Sequence, residues 1–189
     1  MQQTAHSVGR FAHPGYNAAA IGVKEGHVVA DFGAGSGHYA LEFASLVGGA
    51  GRVYAIDVQR NLLIRLRNEA TRHGFANVET VRGDIEVLRG SHLADRAVDL
   101  VLMSNVLFQI ERRAEALAEA RRILRPLGVL AVIEWSDSFA RMGPRSKDIV
   151  GKDEVLSLAR SAGFDLDREF RAGAHHFGLL LTPAPLSYA

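Results

Sequence analysis

Seven residues constrain this chain more than any others. Asp31-Phe32-Gly33-Ala34-Gly35-Ser36-Gly37 join a short apolar run, His27 to Phe32, to a segment of helical period with no residue to spare. Glycines in such a junction let the backbone turn sharply with positive φ and let a ligand come closer than a Cβ permits. The start of the next helix directs unpaired N–H groups into the same space. An open α/β sheet with a ligand site at the carboxyl edge of its strands is the expected outcome.

Three familiar chemistries do not fit this junction. The dinucleotide fingerprint G-x-G-x-x-G needs glycine at position 38, which is His38, and a Walker A loop needs Gly-Lys-Ser/Thr. A G-x-S-x-G nucleophile elbow fails because Ala34 stands two residues before Ser36.

The rest of the chain alternates in the same way from His27 to Trp135. Strands are expected at Arg52 to Asp57, Val78 to Arg82, Ala97 to Met103 and Val129 to Trp135. Helices are expected at Gly37 to Val47, Asn61 to His73 and Glu111 to Arg125, the last with Ala114, Leu117, Ala120 and Leu124 on its buried face and broken by Pro126 and Gly128. The almost wholly apolar run AVDLVLM suits a central strand covered on both faces. After a polar loop, Ser136 to Gly151, Asp153 is a candidate cap for a helix from Glu154 to Ala162. Two closing runs, Phe164 to Phe170 and His175 to Thr182, are close enough to form only an antiparallel hairpin. The fold class is therefore α/β: a doubly wound, Rossmann-like, seven-stranded sheet with helices on both faces and the last strand antiparallel. One domain over residues 1–189 accounts for the length, with 1–20 as an N-terminal lid or packing segment and 136–151 as a loop on the substrate side.

Composition narrows the function classes. The chain has no Cys, which removes disulfides, thiolate metal sites and a Cys nucleophile. Its 22 basic and 21 acidic residues give a formal charge of +1, without the basic excess that drives nucleic-acid binding. Met1 to Arg10 lacks the apolar stretch of a signal peptide and no apolar run of about 18 residues is present, so a cytoplasmic protein with no membrane partner is expected.

The D-x-G-x-G-x-G form, with an acid closing the next strand, resembles the class I S-adenosylmethionine-dependent methyltransferase family. VVADFGAGSGHYA and LRPLGVLAVIEW are most similar to the small-molecule branch that includes the ubiquinone/menaquinone C-methyltransferases. The resemblance runs from about Val28 to Trp135 and implies S-adenosylmethionine as cofactor, with Gly33, Ala34, Gly35 and Gly37 forming the loop around it. Asp57, 20 residues after Gly37, is placed to accept both hydrogens of a ribose diol, and Val58 to pack on an adenine face. The plainer reading of Asp57 is a turn or helix cap. By resemblance Asp84 and the Ile85 backbone meet the adenine edge, and Asp31 lies beneath the methionine end; turn-forming and loop-fixing roles compete with these.

Ser104-Asn105-Val106-Leu107-Phe108-Gln109 follows the fourth strand at the same edge. Asn105 is a candidate cofactor contact. The run lacks the paired prolines typical of methyltransferases that act on nucleobase amines or glutamine. Substrate-pocket candidates are Phe11, His13 and Tyr16 from the N-terminal segment, with Phe108, Gln109, Trp135 and Arg141. Arg141 and Arg145 favour an anionic acceptor, unless Asp137 and Asp148 simply offset their charge. No histidine occupies a motif that marks a catalytic base; His175 and His176, read as neighbours on a strand, point to opposite faces and cannot share a metal. Arsenite, held by cysteine thiolates in family members, is set aside as acceptor. The reading is methyl transfer to a small molecule, with a non-catalytic cofactor-binding module, or a methyltransferase of RNA or protein, as alternatives. A nicotinamide-dependent oxidoreductase is disfavoured by His38.

Overall fold

The computed structural model describes residues 12–139 and 143–185. Phe11 and Arg141 lie outside them. In chain order the elements are α1 (Pro14–Ile21), β1 (Val28–Phe32), α2 (His38–Val47), β2 (Arg52–Asp57), α3 (Arg60–Arg72), β3 (Val78–Arg82) and β4 (Val98–Ser104). They continue with α4 (Arg113–Ile123), β5 (Leu124–Trp135), α5 (Lys152–Ser161), β6 (Phe164–Gly173) and β7 (His176–Pro183).

One seven-stranded sheet has the order β3-β2-β1-β4-β5-β7-β6, with β7 antiparallel to both neighbours. As expected, β4 is central, and its residues from Leu100 to Met103 are buried. On one face Leu117, Ile123 and Val155 from α4 and α5 pack against Phe32, Met103 and Leu130. On the other, Ala18, Phe43 and Leu66 from α1, α2 and α3 pack against Val29, Val53 and Ala131. Each large aliphatic or aromatic side chain so buried contributes roughly 1.5–3 kcal/mol before entropy is set against it. Because β2 lies on one side of β1 and β4 on the other, the chain reverses direction across the sheet between β1 and β4. That switch point opens a crevice at the carboxyl edge, where the loop after β1 sits.

The structure corrects several expectations. The described part of the N-terminal segment is a helix. Pro14 pre-sets its first turn, His13 Nδ1 accepts the Tyr16 N–H at 3.4 Å, and Gly22 ends it at φ 84°. It is pinned by the buried Asn17, whose Nδ2 donates to the Tyr39 hydroxyl at 2.8 Å and the Ala172 carbonyl at 3.1 Å. β5 begins at Leu124, not after Gly128, because its ladder with β4 shifts register between Val98 and Leu100; Pro126 occupies the irregularity, where no ladder N–H is required. In α4, Ala116 and the carboxylate of Glu119 are buried in place of Ala114. Gly151, not Asp153, caps α5, which leaves Asp153 in its first turn. The hairpin turn is only Ala174-His175, so His175 stands off the strand.

Glu119 explains how a charge is tolerated inside α4. Its carboxylate accepts the Arg89 N–H at 2.9 Å and the Ser91 N–H at 3.2 Å, and pairs with Arg122 at 2.7 Å. Burial alone would raise its pKa; Arg122, Ser91 and the two backbone donors hold it down to about 2 instead. These bonds anchor the segment after β3 that reaches the carboxyl edge. Glu119→Ala leaves three donors without their partner and Arg122 with Asp95 as its one remaining carboxylate, and is expected to cost about 3 kcal/mol, read from urea unfolding at pH 7. A loss below 0.5 kcal/mol, the ordinary surface range, would show the network to be dispensable.

Candidate active site

A cleft of about 460 Å³ opens at the switch point, lined by the ends of β1 to β4 and the loops that follow them. Gly33, Gly35, Asp57, Val58, Asp84, Ile85 and Gln109 of the sequence candidates line it together. The loop after β1 is shaped by three glycines of positive φ, each for its own reason. A Cβ on Gly33 would come within 2.6 Å of the Val106 side chain, and one on Gly37 within 2.1 Å of Leu66. Those two permit close packing of loop and helix. Gly35, at φ 54°, has nothing nearer than 3.8 Å where its Cβ would lie. Its missing side chain leaves room in the cleft itself. Ala34 faces the core behind the loop and donates its N–H to the Ile56 carbonyl at 3.0 Å.

Asp57 closes β2 and is 7% exposed. Its Oδ2 accepts the Gly35 N–H at 2.9 Å and its Oδ1 the Gln59 N–H at 2.8 Å. The second bond is the local turn that the plainer reading anticipated; the first reaches across 22 positions and ties the glycine loop to β2. Each oxygen keeps acceptor capacity for one further donor. Beside it Val58 is 55% exposed, with Ile85, Val106 and Ile110 also lining the cleft. An exposed valine among apolar neighbours makes a slot for a flat ring. Asp84 spends Oδ1 on the Glu86 N–H at 2.9 Å, an Asx turn, while its other oxygen bonds nothing among the described residues.

Two buried carboxyls lie just below this surface. Asp31, at 3% exposure, is near the start of α2; burial first, then the Asp57 carboxylate, push its pKa up to about 7 against the Ala40 backbone N–H. Glu134 is 1% exposed, and its Oε1 accepts the Val106 N–H at 2.8 Å and the Leu107 N–H at 2.6 Å. Burial pushes its pKa up to about 7 too. Its Oε2 and Asn105 Oδ1 are buried without partners among the described residues. Asn105 itself sits at φ 56°, a left-handed conformation that Asn tolerates better than most residues. Glu134 thus shapes the loop after β4, a role that its place inside an apolar strand did not signal.

The remaining candidates scatter. Phe108 and Gln109 line a second cleft next to the first, and Gln109 borders both. Trp135 is 8% exposed, covered by Gly143 on one side and by His176 at 4.1 Å between ring centroids. Burial, and secondly His175, hold His176 down to about 4. His175 pairs instead with Asp137 at 2.7 Å, so the two histidines diverge. His13 and Tyr16 are at the exposed start of α1. Ile56, Gln59, Leu62, Gly83, Glu86, Val106 and Ile110 complete the first cleft and were missed; they lie at strand ends, in the loops after them or in the first turn of α3, positions that the carboxyl-edge rule alone would have supplied.

Residues 23–176 match the family described as a methyltransferase domain. The chain belongs to that family. Relatives include a ubiquinone/menaquinone biosynthesis C-methyltransferase of Hahella chejuensis, 34% identical over 61% of this chain and 45% of the relative. Another of that description, from Klebsiella pneumoniae, is 34% identical over 80% of this chain and 65% of its own length. An arsenite methyltransferase of Aquipseudomonas alcaligenes is 36% identical over 70% of this chain and 38% of its own. The chain spans about half the length of the curated relatives it matches. Among solved structures, a SAM-dependent methyltransferase from Aquifex aeolicus superposes with a TM-score of 0.81 at 28% identity, covering 89% of this chain and 88% of the other. The [4+2]-cyclase SpnF superposes at 0.75 with 19% identity, covering 90% and 80%, and shares the fold alone.

Within this methyltransferase domain the Asp31 carboxyl carries a cost that can be measured. A folded pKa raised from 3.8 to about 7 gives stability that is present at low pH and lost as pH climbs through that window. Asp31→Asn is expected to raise the melting temperature of the unliganded protein by several degrees at pH 8 and to change it little at pH 4. Equal shifts at both pH values would contradict a buried, strained charge.

Proposed function

We propose that this domain binds S-adenosylmethionine in the carboxyl-edge cleft and transfers its methyl group to a small-molecule acceptor in the cytoplasm. The observation that carries the proposal is the Asp57 carboxylate. It is held in place by the Gly35 and Gln59 N–H groups, with acceptor capacity left over at the rim of a cleft whose next residue is an exposed valine. A ribose diol meets that need, and an adenine ring fills the slot between Val58 and Ile110. Gly35 leaves the space such a ligand would occupy. NAD shares the adenosine, but His38 stands where a dinucleotide loop needs its last glycine.

When bound, S-adenosylmethionine supplies a methyl on a sulfonium centre, open to in-line displacement. The chain then has three tasks. Asp57 accepts the ribose hydroxyls and fixes the nucleoside. Asp31, charged once a cation is near it, faces the ammonium of the amino-acid end, and Asn105, aided by Glu134, shapes the loop beside it. Alignment and exclusion of water supply the rate, effects worth roughly 7–11 kcal/mol in well-oriented systems. Asp84 and Ile85 serve the adenine edge, and Gly33, Ala34 and Gly37 hold the loop in shape. Phe108, Gln109 and the 136–151 loop form the acceptor side, with Trp135 as a buttress behind Gly143. His13 and Tyr16 open the helix that forms the described part of the N-terminal segment. A single domain over residues 1–189 is part of the same proposal. The acceptor is organic, because a chain without Cys has no thiolates for a metalloid.

Calorimetry with S-adenosylhomocysteine tests this reading. The unmodified protein is expected to bind it and not NAD, and Asp57→Ala to weaken that binding tenfold or more, at ~1.4 kcal/mol per decade. Circular dichroism melts of the same variant check that the sheet survives. Unchanged affinity in Asp57→Ala would remove the ribose assignment.

A further inference from the structure

We infer that the second cleft selects acceptors carrying one negative charge, a carboxylate on a small apolar body; this rests on the methyltransferase reading above. The cleft, about 540 Å³, lies between the start of α4 and the segment that leads into α5. It is continuous in position with the cofactor cleft, since Gln109 borders both. Phe108 and Ile149 give it apolar walls that suit an aromatic or aliphatic body.

Its charges decide the headgroup. Three cations, Arg113, Arg145 and Lys147, face two carboxylates. Arg113 pairs with Glu154 at 3.1 Å and also donates from Nε to the Leu107 carbonyl at 2.7 Å. Arg145 pairs through Nε with Asp148 at 2.7 Å. Both carboxylates are therefore matched, and Lys147 makes no hydrogen bond or ion pair among the described residues. Among the lining residues, one uncompensated cation fits a monoanion. The free guanidinium nitrogens of Arg145 add donors without adding net charge, which suits the two oxygens of a carboxylate. A neutral acceptor would leave Lys147 to water, and a dianion would exceed the charge available.

The test uses two probes that share a phenyl body and differ in charge, sodium benzoate and benzyl alcohol, titrated into the full chain saturated with S-adenosylhomocysteine and followed by amide NMR shifts. Benzoate is expected to shift Gln109, Ile149 and Val150 and to bind about tenfold more tightly than benzyl alcohol, the scale of one charge-assisted contact. Lys147→Ala should bring the two probes to within about twofold while leaving the S-adenosylhomocysteine affinity unchanged. Equal binding of both probes to the unmodified protein overturns the inference, as does a benzoate preference that survives Lys147→Ala. Failure to bind S-adenosylhomocysteine is a separate result that strikes the cofactor reading, and the probe comparison can still be made on the unliganded chain.

Discussion

The carboxylate of Asp57 holds the working edge of this domain together. By accepting one N–H from the glycine loop and another from the residue before α3, it fixes the ends of β1 and β2 against each other at the point where the sheet reverses its winding. Neither bond satisfies the carboxylate completely. An anion kept nearly out of solvent with acceptor capacity remaining is costly unless something donates to it, which is why the cleft reads as a site and not as a packing defect.

The same edge carries further unfavourable features. Asp31 and Glu134 are buried carboxyls shifted up to about 7, and Asn105 is a non-glycine residue at φ 56° whose side-chain oxygen has no partner among the described residues. Elsewhere, buried charge is resolved: Glu119 meets Arg122, which it shares with Asp95, and three further donors. The contrast separates an ionic network that anchors a loop from two carboxyls at the cleft whose hydrogen bonds come from backbone N–H groups. Strain at functional positions is a common exchange of stability for activity.

Much of this was legible in the sequence. Strand periods, helix-stopping glycines and the tight strand-to-helix junction specify the order of elements, and the carboxyl-edge rule brings residues 33, 35, 57, 58, 84 and 85 to one cleft. What escaped has physical causes. α1 is only eight residues long and is held by Asn17, a tertiary contact that no local pattern announces. The start of β5 was misread because Pro126 breaks helices and strands alike, and only the pairing with β4 shows the bulge that accommodates it. No local pattern marks Glu119 or Glu134, because the backbone N–H groups that they accept from lie in loops distant in sequence. The charge of the second cleft depends on which arginine meets which carboxylate, and composition carries no trace of that.

Adenosine recognition by the Asp57 edge is the central claim, and a crystal structure of the complex with S-adenosylhomocysteine tests it most directly. The account predicts both ribose hydroxyls within about 3.0 Å of the Asp57 carboxylate, the limit for an O–H···O bond, with the adenine between Val58 and Ile110. A nucleoside lodged anywhere else on the sheet, or bound here with its ribose turned away from Asp57, would contradict it.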